Sequence, residues 1–294
     1  MISEKQNHSF FTVLIYISPA LVPLSLFWFW PMLYSLYISF TNWDYMSPTY
    51  DIVGFRNYLN LFGDPEFYRV LGNTFYFTAG TVFPTMVGGL FFAVLLNKEF
   101  RGNHLYQAIL FSPWVTPTVA VSIVWSWIFQ PEVGLANWLL SLFHLPKLEW
   151  AGSSTWAMPM ILIVTVWKGV GWAMIFYLDA LKKVPKELYE SAETDGASWW
   201  SKLIHITIPL ISPTSFFLAV ILMVDALQAF DQIQILTQGG PAGSTRTLLY
   251  LYYQSAFEQF NMGEATAVAT ILVLLTAMLS LVQFIMAKRW VHYE

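Results

Sequence analysis

The chain has 294 residues, of which 56% are hydrophobic and 11% charged, with a net charge of −4 and no cysteine. Soluble domains carry about 25% charged residues, so this balance excludes an ordinary water-soluble fold and points to a bilayer protein. The absence of cysteine rules out a disulfide framework, a thiolate metal site and a cysteine nucleophile, and so small a net charge argues for no nucleic-acid partner.

Taken in order, the apolar stretches predict an all-α polytopic membrane protein with about six transmembrane helices. The spans fall at about residues 10–40, 70–97, 105–131, 156–181, 203–230 and 262–288. The first stretch is free of charge over residues 9–43, well beyond the roughly 20 residues a spanning helix needs. A secretory signal with Lys5 as its positive end would have an apolar core of only about 7–15 residues and a cleavage site after it. The segment is therefore read as a retained helix, kinked or divided by Pro19, Pro23 and Pro31. The second and third stretches are uncharged, the fourth contains Lys168 and Asp179, and the fifth contains Asp225.

Between the fourth and fifth spans lies the most charged part of the chain, a loop over residues 182–209. Pro185 followed by good helix formers predicts a short helix to Ala192. Asp195-Gly196 predicts a sharp bend, and a second helix is expected from near Ser198 toward Pro209. Within this loop, Glu190-Ser191-Ala192, then Asp195-Gly196-Ala197, then Ile206-Thr207-Ile208-Pro209 resembles the EAA loop of binding-protein-dependent ABC permeases. That loop runs E-A-A, three residues, G, nine residues, I-x-L-P. The spacing here is the same, with Ser191 for the middle Ala and Ile208 for Leu.

Lysine and arginine set the orientation. With both termini cytoplasmic, the inner side holds nine cations: Lys5, Lys98, Arg101, Lys182, Lys183, Lys186, Lys202, Lys288 and Arg289. The outer loops hold four, Arg56, Arg69, Lys147 and Arg246. This count puts the EAA-like loop in the cytoplasm. The outer loops extend the resemblance. Gly54-Phe55-Arg56-Asn57-Tyr58 is similar to a G-x-x-N-Y/F pattern of the family, and Thr237-Gln238-Gly239-Gly240-Pro241 to the T-x-G-G-P loop of its carbohydrate-type members. Residues 36–43 are similar to the same subfamily, so the resemblance runs from about Phe10 to Glu294.

The resemblance implies a single transmembrane permease domain over 1–294 with a type I (MetI-like) core, in the cell inner membrane. It implies a second, homologous permease subunit in a heterodimer, an ATPase subunit dimer that binds ATP and Mg, and an extracytoplasmic solute-binding protein. The EAA-like loop would be the coupling helix gripped by the ATPase, with Glu187, Glu190, Ala192, Asp195 and Gly196 as coupling residues. No cofactor is expected in this chain. No G-x-x-x-x-G-K-[ST], H-E-x-x-H or G-x-S-x-G occurs, and the histidines are scattered at 8, 104, 144, 205 and 292, so neither a catalytic residue nor a metal site is expected.

Polar residues at membrane depth mark a candidate pathway, because ionisable groups there face a bundle interior or a watery route. Thr165, Lys168 and Trp172 share one face of the fourth span, and Asp225, Gln228 and Gln232 have the same spacing on the fifth. An aromatic ring beside polar donors suits a sugar. Lys168 either pairs with Asp225 or meets an acidic solute. Asp231 is expected at the outer interface and Asp179 at the inner one. The solute is expected to be a carbohydrate. The alternative is an acidic one, a uronate oligosaccharide or glycerol phosphate. A secondary transporter is the rival class and would show an inverted repeat and broken helices; a non-transporting scaffold would leave the EAA-like spacing unexplained.

Overall fold

The structure, a computed structural model, describes residues 10–98 and 100–290. Lys5, His8 and His292 lie outside the described residues. The elements are helical throughout, in the order α1 (Phe10–Leu24), α2 (Trp30–Ile38), α3 (Arg56–Gly63), α4 (Pro65–Leu96), α5 (Asn103–Val115), α6 (Thr118–Ile128), α7 (Leu135–Leu142), α8 (Ala157–Lys183), α9 (Lys186–Thr194), α10 (Trp199–Lys202), α11 (Ile208–Leu210), α12 (Ser212–Leu227), α13 (Asp231–Leu236), α14 (Leu248–Tyr253) and α15 (Met262–Trp290). Four helical stretches are long and apolar enough to cross a membrane: Leu14–Ile38, Pro65–Leu96, Ala157–Lys183 and Met262–Lys288. Two further pairs qualify together although bent, α5 with α6 by 100° and Trp199–Leu210 with α12 by 67°.

These bends correct the expectation of continuous helices in the third and fifth runs. Proline accounts for both. Pro117 pushes Thr116 into an extended conformation (ψ 135°), because the residue before proline is disfavoured in the helical region. In the fifth run Pro209 and Pro213 flank Ile211, whose ψ of 5° ends one helix and caps the next. The first run, by contrast, stays helical through its prolines: a wide π turn at Ser25–Phe29 joins α1 to α2.

The chain forms two compact units. One takes in the chain to Gly63 together with Tyr252–Thr270. Its Gly54-Phe55-Arg56-Asn57-Tyr58 motif acts as a brace: the Asn57 amide donates to the carbonyls of Ser39 and Thr41, both at 2.8 Å. The Tyr58 hydroxyl lies 2.6 Å from that of Ser39. None of the apolar 18-residue window within Leu14–Ile38 is buried, as expected for a surface meant for lipid or another subunit.

The other unit takes in Asp64–Leu251 and the chain from Ile271. Its centre is the packing of α4 on α8, around the fully buried Phe77, Met160, Ile161, Met174, Tyr177 and Leu218. Small residues let the backbones approach: a Cβ on Gly89 would lie 2.6 Å from that of Ala173. Lipid tails supply no hydrophobic drive between helices, so such close van der Waals contact is what holds spans together.

Candidate functional site

A cavity of about 560 Å³ opens within the second unit, walled by α4, α8, α12, α13 and the elbow between α5 and α6. Its polar lining comprises Thr81, Thr85, Thr118, Thr165, Lys168, Asp225, Gln228, Asp231 and Gln232, with Trp114 as its largest aromatic side chain. The volume lies within the roughly 300–1,000 Å³ of small-molecule sites.

Five of the six pathway residues expected from the sequence come together here: Thr165, Lys168, Asp225, Gln228 and Gln232. The structure changes how they do so. Asp225, Gln228 and Gln232 are not on one helix face, because α12 ends at Leu227, Gln228 caps it, and Phe230 (φ −132°, ψ −55°) turns the chain into α13, which carries Gln232. Asp231, expected at the outer interface, lines the cavity beside them. Asp179 is exposed and pairs with Lys183 at 2.6 Å.

Trp172 does not line the cavity. One turn beyond Lys168, α5 covers that face of α8, and the Trp172 ring stacks on Trp114, centroid to centroid 5.1 Å. Trp114 takes the place in the wall. Nor does Lys168 pair with Asp225: its ammonium donates to the Trp114 carbonyl at 3.0 Å, and among the described residues it has no ion pair. Sequence reading missed Trp114, Thr118 and the threonines of α4. The last had a signal, since Thr74, Thr78, Thr81 and Thr85 recur at helical spacing in a long apolar helix. Thr74 and Thr78 bond back to the carbonyls of Val70 and Thr74. The buried hydroxyls of Thr81 and Thr85 have no partner among the described residues.

The second candidate region is the loop after α8. Helix α9 carries Glu187 in its first turn, where the helix dipole favours an acid. It ends with two backbone bonds, Gly196 N–H to the Glu193 carbonyl (3.0 Å) and Ala197 N–H to the Ala192 carbonyl (2.8 Å). This is the Schellman arrangement, and it places a residue of left-handed backbone just past the helix. Gly196 fills that place with φ +74°. The three-residue gap between Ala192 and Gly196 is therefore the length of one helix-ending motif.

Ser198 then caps α10, its side chain accepting from the Ser201 N–H at 3.2 Å. Two cross-links staple the arms of the loop: the Lys202 ammonium to the Glu193 carboxylate, and the Tyr189 hydroxyl to that of Thr207 at 2.9 Å. The helix expected from Ser198 toward Pro209 widens into a π turn at Leu203–Thr207, just before Pro209, which has no N–H to bond the His205 carbonyl. Glu187, Glu190, Asp195 and Gly196 are exposed, and Ala192 is half-buried.

The described residues thus form an all-helical fold with helices long and apolar enough to cross a membrane, a polar cavity between them and a capped, highly charged loop beyond them. The chain belongs to the family described as binding-protein-dependent transport system inner membrane component, whose model matches residues 85–292. It is thus a permease of an ABC importer, in which ATP is handled by a separate subunit. It is 33% identical to the probable ABC transporter permease protein YurN of Bacillus subtilis, over 92% of this chain and 93% of that one. It is 32% identical to the sn-glycerol-3-phosphate transport system permease protein UgpA of Yersinia pestis, over 94% of each. Among solved structures it shares its fold with a bacterial ABC transporter involved in the import of the acidic polysaccharide alginate. There the TM-score is 0.81 at 23% identity, covering 95% of this chain and 96% of that chain.

Proposed function

We propose that this permease translocates a neutral or weakly charged carbohydrate, and that the cavity around Lys168 is its route. The cavity lining carries the reading. It offers threonine hydroxyls, two glutamine amides and two carboxylates against a single ammonium. Hydroxyls, amides and carboxylates exchange hydrogen bonds with a sugar's hydroxyl groups. Two aspartates beside one lysine repel an anion more than they attract it. An acidic solute is the second reading, favoured by the 32% identity to a glycerol-3-phosphate permease.

In this reading the loop from Lys186 to Pro209 faces the cytoplasm, as do both termini, and docks into one ATPase subunit of a dimer. A second, homologous permease chain completes the pathway, and an extracytoplasmic binding protein delivers the solute to the outer loops. Glu187 and Glu190 present charge to the ATPase, while the Ala192–Gly196 helix ending fixes the angle at which they do so. ATP binding then shifts the population between two conformations of the bundle, since a ligand can move an equilibrium only by its differential affinity for the two states.

The experiment is to identify, by mass spectrometry after native purification, the ligand held by the cognate binding protein, and to repeat uptake with Asp225→Asn and Gln228→Ala. A neutral sugar and a raised KM in both variants are expected. A phosphate ester or uronate as ligand would overturn the neutral reading. Unchanged uptake in both variants would remove the cavity from the route.

A further inference from the structure

The elbow between α5 and α6 leaves an unfinished helix end beside the cavity. The last carbonyls of an α-helix have no donor within the helix. Helix α5 stops at Val115, Thr116 is extended, and α6 departs at 100°. Lys168 reaches across from α8 and donates to the Trp114 carbonyl at 3.0 Å, with its ammonium 5.1 Å from the centre of the Trp114 ring system. A cation at that position also meets the negative end of the helix dipole and an aromatic face that attracts it.

The adjoining turn tightens the grip. Trp172 stacks on Trp114, and at Gly171 the two helices are so close that a Cβ would fall 1.8 Å from the Leu110 carbonyl oxygen. Lys168 is the one cation among the described residues lining the cavity, and Asp225 and Asp231 line it too. Its ammonium is nevertheless directed to the helix end.

We propose that Lys168 is a positioning residue for translocation, a clamp whose ammonium holds the α5–α6 elbow against α8. The role in translocation rests on reading the cavity as the solute's route; the clamp itself needs no solute. By fixing the elbow it sets the place of Trp114 and Thr118 in the cavity wall.

The test uses the full transporter in membrane vesicles. Ser122→Cys, at a buried position on α6 just past the elbow whose hydroxyl has no partner among the described residues, is combined with Lys168→Met or Lys168→Arg; the chain has no native cysteine. Alkylation of the introduced thiol is timed without solute, and uptake is measured in parallel. Lys168→Met should raise the alkylation rate about tenfold or more, the population change set by losing one charge-assisted hydrogen bond. Lys168→Arg, which keeps the charge, the donors and the ability to stack, should return the rate to within about twofold of the parent. If Lys168→Met blocks assembly, the Arg variant decides: restored assembly with parental alkylation supports the clamp, and failure to restore overturns it. Unchanged alkylation in an assembled Lys168→Met transporter overturns the clamp whatever happens to uptake. Faster alkylation with normal uptake supports the clamp but takes the cavity off the solute's route.

Discussion

Gly196 offers a substitution series whose rank order separates two causes. A Cβ built there meets nothing within 4 Å, yet the residue sits at φ +74°. The cost of a side chain within this subunit is therefore a backbone cost alone. For an L-residue the left-handed region costs about 1–2 kcal/mol, less for Asn, which tolerates it, and toward the upper end of about 1–3 kcal/mol for a β-branched residue. Relieving the strain by unwinding forfeits the two bonds that end α9, from Gly196 and Ala197 to Glu193 and Ala192, at about 1 kcal/mol each. Since 1.4 kcal/mol is a factor of ten, Gly196→Ala should shift the loop population about five- to thirtyfold, Gly196→Val more, and Gly196→Asn least. Copurification of the ATPase subunit and solute-stimulated ATP hydrolysis in membranes should follow the order Gly, Asn, Ala, Val. If a docked partner's surface set the cost instead, the larger Asn would be worse than Ala. Finding Asn as damaging as Val would refute the helix-ending argument.

Three further predictions use other parts of the molecule. Thiols introduced by Ser198→Cys and Ala242→Cys should be labelled from opposite faces of the membrane, the first from the cytoplasm, and labelling from one face would defeat the six-span topology; Ala242 is preferred to Ser244, whose hydroxyl is buried. Gly171→Leu should prevent α5 from seating on α8, because even a Cβ would fall 1.8 Å from the Leu110 carbonyl oxygen, and should be read as lost transporter yield while the neighbouring exposed Ile175→Leu leaves yield normal. Asn137, buried between the carbonyls of Pro131 and Leu148 and the indole N–H of Trp150, should when replaced by Ala destabilise the 131–150 loop by about 2–3 kcal/mol through the polar groups left unsatisfied. Limited proteolysis would show this as earlier cleavage there, and an unchanged pattern would count against the brace.

Much of this protein can be read along the chain, because the features that carry it are local. A bilayer demands long apolar runs, so composition alone marks the helical polytopic class. The loop after the fourth run is equally local: a helix ending needs a left-handed residue at a fixed distance from the carbonyls it satisfies, which is why Ala192, Gly196 and Ala197 stand where they do. What the chain order hides is what happens at the breaks. Proline announces that a helix is disturbed, yet Pro19 and Pro23 lie inside a helix whereas Pro117 turns its chain through 100°. At Pro117 the freed end of the helix meets α8, whose Lys168 donates to the carbonyl of Trp114, 54 residues away in sequence. Helical spacing groups Thr165 with Lys168, and both line the cavity, but it also enlists Trp172, because periodicity defines a face without saying how far along it a neighbour lies. Expected membrane depth set Asp231 apart from Gln232, yet the turn at Phe230 brings both to the same cavity. Spacing is a property of one helix, whereas a cavity is bounded by several, and only their packing decides which part of each face is left uncovered.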